Sequence, residues 1–336
     1  MQPNCLYTSC GRDEGISDME RGGNIVGLAL ARARSLSVFA ASLVTLLLPA
    51  AEDNLREAIW KGIVTLRDGV TLHAYNLEKP RKMAVYVARI DLTVPGISFT
   101  GTERDPKWGK PIPDAKGSDK RKTIGTKRET TADFMMRRRS KGMNVEIAVN
   151  TSGFGPWERP FNHEYAGFFH WTYVCGEEIS HKVKPLNAPY LIVRKNGKID
   201  IRRGVKLAET NDIAIAMFGN GLLLKNGNCV FPARIRKRTC GDVENPRTAL
   251  GLTADRRTLI IVAVDGRQPG YSAGARYPEL AEILKREGAT DAINFDGGGS
   301  TSLVVFDRKS GKPIMLNHQP KGIHRKVGLN LGIVFE

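Results

Sequence analysis

Cysteine is scarce in this chain, with five residues among 336, and this scarcity excludes a small domain held together by disulfides. Acidic residues are also few, because 35 Asp and Glu stand against 51 Lys and Arg and leave a formal net charge of +16. Hydrophobic residues at 41% and charged residues at 26% are typical of a globular chain, which excludes a disordered or polytopic membrane protein. The basic excess favours an anionic partner, such as nucleic acid, anionic lipid or an acidic glycopolymer.

The N-terminal region lacks an apolar run of comfortable membrane-spanning length. The uncharged run over residues 35–51 follows Arg32 and Arg34, ends in small residues and is slightly short for a membrane span. A basic stretch, an apolar stretch and an alanine-rich end are the parts of a secretory signal. We therefore expect residues 1–51 to be a leader. It is either cleaved on export to the periplasm or the extracellular space, or kept as an N-terminal anchor.

Export narrows the choice of partner. Residues 1–51 contain as many basic as acidic residues, so the net charge of +16 belongs to the rest of the chain. An exported protein meets little nucleic acid, and we expect instead a sugar phosphate or an anionic glycopolymer of the cell envelope. A membrane would be contacted only through an uncleaved N-terminal segment. Beyond the leader, Cys229 and Cys240 are close enough in sequence to form one disulfide, and free thiols are the alternative.

The pattern of apolar residues predicts one domain of the α/β class, in the α+β sense. Residues 52–81 form an N-terminal β-hairpin segment, with two short strands joined by Asp68-Gly69. Residues 82–336 form the main domain, a mixed β-sheet core flanked by helices over 132–141 and 278–287, with the active site at strand ends. The first of these helices is capped by Thr130 or Thr131. Strands of the main domain are expected over residues 83–92, 145–149, 190–194, 213–218, 248–253, 259–264, 292–295, 302–306 and 328–335.

A Gly-, Pro- and Lys-rich stretch over residues 101–128 lacks periodic apolar residues and predicts an exposed loop. Between Arg104 and Arg128 it contains nine basic and three acidic residues. The loop is either a solvated insertion or a basic rim that attracts an anionic substrate.

The most informative stretch begins at Asp296, just after an apolar strand that contains Asn294. Three glycines and two hydroxyl residues follow: Gly297, Gly298, Gly299, Ser300 and Thr301. Three glycines predict a turn in which backbone N–H groups converge on an anion, because no Cβ obstructs them, and the hydroxyls add further donors. The spacing is neither that of a dinucleotide fingerprint nor that of a P-loop.

A second apolar strand runs into Asp265, which is followed by Arg267 and Tyr271. If this strand is parallel to the one before Asp296, the two carboxylates lie at one edge of the sheet. Arg267 would then be placed to hold a phosphate with both of its terminal nitrogens. Other strand ends and starts carry three more candidates: Asn150, Gly153 and Arg247.

Taken together, these motifs resemble the phosphodiester glycosidase family. The resemblance covers residues 82–336 and is densest over 245–303, where Pro-Arg-Thr-Ala, Val-Asp-Gly-Arg and Asn-Phe-Asp-Gly-Gly-Gly-Ser-Thr occur in the family's order. One motif departs from the family, which commonly has Asn-Gly-Gly/Ser-Phe-Phe where this chain reads Asn-Thr-Ser-Gly-Phe-Gly from Asn150. The resemblance implies a secreted hydrolase that cleaves the glycosidic bond of a sugar-1-phosphodiester.

The resemblance also implies roles for individual residues. The catalytic candidates are Asp296, Asp265 and Arg267, since a carboxylate must activate water or attack the anomeric carbon and positive charge must surround the phosphate. The candidates for binding substrate and phosphate are Asn150, Gly153, Arg247, Tyr271, Asn294, Gly297, Gly298, Gly299, Ser300 and Thr301. We expect no metal ligands and no cofactor, with a divalent cation as an open alternative. Two other functions fit the same residues, an envelope protein that binds anionic glycan without catalysis and a metal-dependent phosphodiesterase.

Overall fold

The computed structural model describes residues 51–113, 115, 123–157, 162–181, 187–230 and 241–336. Within it, residues 51–336 belong to one unit. The predicted leader, except for Ala51, lies outside the described residues, and so do Cys240 and residues 114 and 116–122 of the basic stretch. No helix in the described part of the chain is long and apolar enough to cross a membrane.

Strands outnumber helices in the described residues. The α-helices are α1 (Ala51–Lys61), α2 (Thr131–Ser140) and α3 (Tyr277–Arg286). The strands are β1 (Val64–Arg67), β2 (Val70–Leu77), β3 (Met83–Asp91), β4 (Ile97–Gly101), β5 (Thr126–Lys127), β6 (Val145–Asn150), β7 (Tyr165–Ala166), β8 (Tyr173–Val174), β9 (Glu177–Glu178), β10 (Pro189–Arg194), β11 (Ile199–Arg203), β12 (Ile213–Phe218), β13 (Gly221–Lys225), β14 (Asn228–Cys229), β15 (Arg247–Leu252), β16 (Thr258–Val264), β17 (Asp291–Asn294), β18 (Leu303–Asp307), β19 (Lys312–Met315) and β20 (Asn330–Phe335).

The largest sheet has eight strands in the order β1-β2-β3-β16-β15-β17-β13-β14. Two five-stranded sheets, β11-β10-β12-β8-β9 and β19-β18-β6-β20-β4, and the short pair β5-β7 make up the rest of the described strands. Every strand pair within the described residues is antiparallel. The predicted mixed sheet is therefore wrong. A strand that is buried on both faces reads as a continuous apolar run whichever way its neighbours run, so the pattern does not reveal their direction.

The strands that lead to the two aspartates nevertheless point the same way. Both β16 and β17 pair antiparallel with β15, which lies between them. Val264, the last residue of β16, lies opposite the first residue of β15, and Asn294, the last residue of β17, lies opposite its third. The chain therefore leaves both strands at the same edge of the sheet, where Asp265 and Asp296 follow.

The eight-stranded sheet is buried on both faces, which explains the continuous apolar runs in its central strands. On one face Leu250 and Ile261 belong to the main core, which also contains residues of both five-stranded sheets. On the other face Ala249 and Val262 pack in a second core with Leu280 of α3. A third cluster contains residues of α2, β6 and β18.

Local signals located most elements. Each of the nine predicted strands coincides with an observed strand to within two residues, and α2 and α3 are present as predicted. The Thr130 side chain accepts a hydrogen bond from the Asp133 N–H at 3.0 Å and caps α2. The hairpin of β1 and β2 forms around Asp68-Gly69, but β2 also pairs with β3, so the hairpin is part of the main sheet. The sequence pattern does not predict α1, which packs in the main core through Ile59.

At Gly266, in the loop after β16, the backbone packs directly against the backbone of Pro246 and Gly274. A Cβ on Gly266 would lie 2.6 Å from the Pro246 nitrogen and 2.7 Å from the Gly274 Cα. No side chain fits at this distance, so the position requires glycine. The contact fixes the loop that carries Asp265 and Arg267 on either side of Gly266.

We expect Gly266→Ala to destabilise the fold by about 1–3 kcal/mol, because the added methyl group must push backbone segments apart. Gly62→Ala is the matched control, since nothing lies within 4 Å of the Cβ position of Gly62. Urea unfolding of both variants and the parent measures the difference. Equal midpoints for all three proteins would contradict the close packing.

Candidate active site

Residues 296–301, called the glycine turn below, connect β17 to β18 and include a short 3-10 helix, Gly298–Ser300. The N–H of Gly298 donates to the Pro246 carbonyl at 2.9 Å, and Gly298 has a φ of +62°, which favours glycine. A Cβ on Gly297 would lie 2.5 Å from the same carbonyl oxygen. The predicted turn is present, and contact with Pro246, just before β15, is one reason why its residues are glycines. The N–H groups of Ser300 and Thr301 donate to carbonyls within the turn, both at 3.2 Å, so with Gly298 they do not converge on an anion as the sequence predicted.

Asp296, at the start of the glycine turn, is a half-buried residue whose Oδ2 atom is buried. Burial raises its pKa from 3.8 to about 6, because the charged form loses its contact with water. The Ser300 hydroxyl and the positive charges of Arg325 and Arg267 act in the opposite direction and limit the rise. A carboxyl group that titrates near neutral pH is suited to exchanging protons or attacking a substrate.

Two guanidinium groups flank the glycine turn. The Nε of Arg267 donates to Asn245 Oδ1 at 2.9 Å, and its terminal nitrogens lie 3.4 Å from the Cβ position of Gly298. Arg325 packs on Gly299 so closely that a Cβ there would lie 2.6 Å from the guanidinium carbon. One guanidinium group therefore packs against Gly298 and the other against Gly299, on the same turn that carries the Asp296 carboxyl group.

Sequence reasoning missed Arg325. It lies in the loop between β19 and β20, within a basic run that carries no motif. Its backbone N–H donates to Gln319 Oε1 at 2.9 Å, and its guanidinium carbon lies 5.0 Å from the centre of the Trp157 ring. Only the folded chain brings this arginine onto the glycine turn, so no local pattern could have identified it.

A second cation lies against Trp157. The guanidinium carbon of Arg128 is 5.5 Å from the centre of the Trp157 ring, and Arg128 is buried. Its nitrogens donate to the carbonyls of Tyr165 and Pro156 at 2.8 and 2.9 Å. Burial and the charge of Arg325 lower the pKa of the Arg128 guanidinium to about 10. Arg128 therefore belongs to the interior and not to an exposed basic rim.

Three buried polar atoms of the glycine turn have no hydrogen-bond partner within the described residues: Asp296 Oδ2, Ser300 Oγ and Thr301 Oγ1. Ser300 lies near enough to lower the pKa of the carboxyl group, but not in the geometry of a hydrogen bond. Buried polar atoms without partners are costly, and native proteins retain few of them. Their concentration at one turn points to a polar ligand that completes them.

Asp265 is fully buried and its oxygens are already occupied. Asn317 Nδ2 donates to Oδ1 and the Tyr271 hydroxyl to Oδ2, both at 3.1 Å. The backbone N–H of His318 lies 3.0 Å from both oxygens. A carboxylate with these partners is not accessible to a substrate. The placement argues against the predicted catalytic role of Asp265, and the Tyr271 hydroxyl, predicted to bind substrate, is hydrogen-bonded to this carboxylate.

Two further residues that were predicted to bind substrate or phosphate, Arg247 and Asn294, donate hydrogen bonds to other groups of the protein. Arg247 is buried, and its guanidinium donates to the carbonyls of Ala275 and Val243, each at 2.8 Å. Asn294 is buried within the sheet, where its amide donates to the Tyr277 hydroxyl at 3.2 Å. These contacts argue against the predicted phosphate contact of Arg247 and the predicted substrate contact of Asn294.

Asn150 is also a structural residue, although it lies at the site. Its Nδ2 donates to the Asp296 carbonyl at 2.8 Å, and its Oδ1 accepts from the Thr248 hydroxyl at 2.7 Å and the Ser302 N–H at 3.0 Å. Gly153 is buried three residues further along the chain. Asn150 therefore supports the glycine turn through its hydrogen bonds, and a Cβ on Gly153 would lie 3.3 Å from the Asn220 side chain, whereas the sequence suggested that both residues contact a ligand directly.

The raised pKa of Asp296 predicts how stability depends on pH. The folded protein holds the proton of the Asp296 carboxyl group more tightly than the unfolded chain does. Protonated Asp296 therefore stabilises the fold below about pH 4, and this stabilisation is lost as pH rises through about 6. We expect Asp296→Asn to remove this loss and to be more stable than the parent at pH 7, by about 1–3 kcal/mol. Chemical unfolding between pH 4 and 8 measures the effect. A variant less stable than the parent at pH 7 would show that the carboxylate holds the turn together.

The fold recurs in solved structures at low sequence identity. The catalytic domain of zebrafish N-acetylglucosamine-1-phosphodiester alpha-N-acetylglucosaminidase, auto-inhibited by its pro-peptide, superposes with a TM-score of 0.55 at 16% identity, over 80% of this chain and 83% of that chain. A hypothetical protein from Synechocystis superposes with a TM-score of 0.53 at 15% identity, over 82% of this chain and 64% of that protein, less than two thirds of its length. At these identities the likeness shows the fold alone. No curated protein matches the sequence.

The sequence itself matches the family model described as phosphodiester glycosidase over residues 143–334. The matched region is more than half of the chain and contains Asn150, Asp265, Arg325 and the whole glycine turn. It confirms the resemblance that the motifs indicated. This chain belongs to the phosphodiester glycosidase family.

Proposed function

We propose that this protein hydrolyses the glycosidic bond of a sugar-1-phosphodiester. One observation carries the proposal: the Asp296 carboxyl group, with its pKa of about 6, lies beside Arg267 and Arg325 on a turn that has unpaired buried polar atoms. Family membership supports a glycosidase-type hydrolase. The zebrafish neighbour is named for N-acetylglucosamine, and this sugar is not carried over to the present chain.

The proposed reaction separates a positive carbon from a negative leaving group. The bond that breaks joins the anomeric carbon to a phosphate oxygen, and the departing phosphate monoester has a second pKa near 6. It leaves as an anion with little need for a proton donor. Arg267 and Arg325 balance the charge that develops on the phosphate. Asp296, in its ionised form, faces the anomeric carbon and either attacks it or acts as a base toward water.

The proposed substrate is a sugar phosphate or an anionic glycopolymer outside the cytoplasm. The net charge of +16 supports an anionic substrate, because a basic surface raises the rate of encounter with anions. Export to the periplasm or the extracellular space is part of the proposal, and the apolar run over residues 35–51 after Arg32 and Arg34 supports it. The chemistry proposed here requires no cofactor.

Hydrolysis of a sugar-1-phosphodiester in water enriched in oxygen-18 tests the reaction. We expect the label in the released sugar, because the bond between carbon and oxygen breaks, and no cleavage of a simple aryl glycoside used as control. Label in the phosphate, together with loss of activity in a chelator, would indicate a metal-dependent phosphodiesterase. Binding without turnover would indicate a protein that only binds anionic glycan.

Asp296→Asn should lower kcat/KM by about a hundredfold to ten-thousandfold, because an amide neither accepts a proton nor attacks the anomeric carbon. Asp68→Asn is the control, since Asp68 is exposed in a hairpin turn that accepts Asn-Gly equally well. Steady-state kinetics and melting temperatures are measured for both variants. An active Asp296→Asn enzyme would remove the carboxylate from the mechanism.

Arg267→Lys and Arg325→Lys should each lower kcat/KM by about thirty- to hundredfold. An ammonium group cannot replace the two-pronged contact of a guanidinium with phosphate. Each such contact is worth about 2–3 kcal/mol. Arg286→Lys is the control, because Arg286 is exposed on α3. Both defects should persist at high ionic strength, where long-range attraction is screened. A defect that disappears in salt would make the arginine concerned a surface charge without direct contact to phosphate.

A further inference from the structure

Asp265 anchors a chain of polar side chains that ends near the surface. The Tyr271 hydroxyl donates to Asp265 Oδ2 at 3.1 Å. The Tyr86 hydroxyl lies 2.6 Å from the Tyr271 hydroxyl, and His318 Nδ1 lies 3.0 Å from the Tyr86 hydroxyl. The chain thus runs from a fully buried carboxylate to an imidazole whose side chain is 51% exposed. Neither Tyr86 nor His318 carries a motif in the sequence.

The number of available protons determines the direction of each hydrogen bond. A tyrosine hydroxyl has one proton to donate, and burial with the Asp265 charge raises the pKa of both tyrosines, so both keep that proton. The Tyr271 proton goes to the carboxylate, because a charge-assisted hydrogen bond is the stronger choice. Tyr86 must then donate to Tyr271 and has no proton left for the imidazole. His318 Nδ1 is therefore the donor to Tyr86 and carries a proton.

A neutral imidazole with its proton on Nδ1 has a lone pair on Nε2. Within the described residues, His318 makes its side-chain hydrogen bonds through Nδ1 alone. The ring is held edge-on to Tyr271 with 5.7 Å between ring centres, and tilted against Tyr86 with 6.3 Å. The network therefore presents Nε2 as a base in one fixed orientation.

His318 lies next to the glycine turn. Its two neighbours, Asn317 and Gln319, both donate to the Thr301 carbonyl at 3.1 Å, at the end of the turn. Gln268 Nε2 donates to the His318 carbonyl at 2.9 Å and ties the same segment to the loop after β16. The backbone segment that carries the exposed imidazole is thus bound to both loops that flank the candidate site.

We propose that His318 accepts, at Nε2, the proton of the water that attacks the anomeric carbon. This inference rests on the proposed function above. The O–H bond of water breaks and its proton passes to Nε2, while the water oxygen bonds to the anomeric carbon. In the step before, the Asp296 carboxylate bonds to the anomeric carbon, and the electron pair of the bond to phosphate leaves on the phosphate oxygen. The water then displaces Asp296, and the electron pair of that bond returns to the carboxylate. Asp265 acts through Tyr271 and Tyr86 to hold the imidazole.

The protonation state of His318 is measured without any substrate. Nitrogen-15 NMR of the imidazole rings distinguishes a protonated from an unprotonated Nε2. The chain has six histidines, so the spectrum of His318→Asn assigns the signal. We expect the neutral ring of the parent protein to carry its proton on Nδ1. A proton on Nε2 in the neutral ring overturns the proposal.

Two variants separate proton transfer from structural support. In His318→Asn the side-chain amide replaces the Nδ1–H donor to Tyr86, whereas in His318→Gln the amide reaches the position of Nε2, and neither amide accepts a proton. We expect both variants to lower kcat by at least about a hundredfold, with an unchanged melting temperature for His318→Asn. His324→Asn is the matched control, an exposed histidine six residues away.

A kcat near that of the parent in His318→Asn overturns the proposal, because the hydrogen bond to Tyr86 would then be all that His318 supplies. This outcome can be distinguished from a failure of the proposed function by the activity of the parent protein. A parent protein that cleaves no sugar-1-phosphodiester defeats both inferences, whereas an active parent with an equally active His318→Asn defeats only this one.

Discussion

The side-chain amide of Asn150 joins the eight-stranded sheet to the five-stranded sheet that contains β6, at the point where the glycine turn begins. It lies at the end of β6 in one five-stranded sheet, accepts hydrogen bonds from Thr248 of β15 and from Ser302, and donates to the Asp296 carbonyl. An amide whose donors and acceptors are satisfied in a buried place has one orientation, because any rotation leaves polar groups unpaired. The position of the Asp296 carboxyl group, and with it the candidate site, depends on this connection.

The two aspartates that follow strands β16 and β17 have different environments. Asp265 receives hydrogen bonds on both oxygens and is withdrawn from solvent. Asp296 has one oxygen without a partner within the described residues, and burial raises its pKa to about 6. A group kept in this state costs stability, and proteins retain such groups where chemistry needs them. The two carboxyl groups therefore differ: the oxygens of Asp265 are occupied by hydrogen bonds, whereas Asp296 lies beside two guanidinium groups with one oxygen unpaired in the described part of the chain.

Most of the fold was predictable because the signals are local. Alternating or continuous apolar runs bounded by turn residues located the strands, Thr130 located the start of α2, and Asp68-Gly69 located the first hairpin. The direction of the strands was not predictable, because burial on both faces gives the same run of apolar residues in parallel and antiparallel sheets. The shared orientation of β16 and β17 comes instead from β15, which pairs with both.

The sequence by itself determined the glycine turn, because three successive glycines after Asp296 suit a turn that must pack closely on neighbouring backbone. It also determined the family, through motifs that are contiguous in the chain. Only the tertiary structure decided which polar side chains meet at that turn. Arg247 is directed to carbonyls of its own surroundings, while Arg325 reaches the turn from the loop between β19 and β20. The reason is physical: a motif sets local backbone geometry, but long-range packing decides whether a side chain is buried among partners or reaches a site.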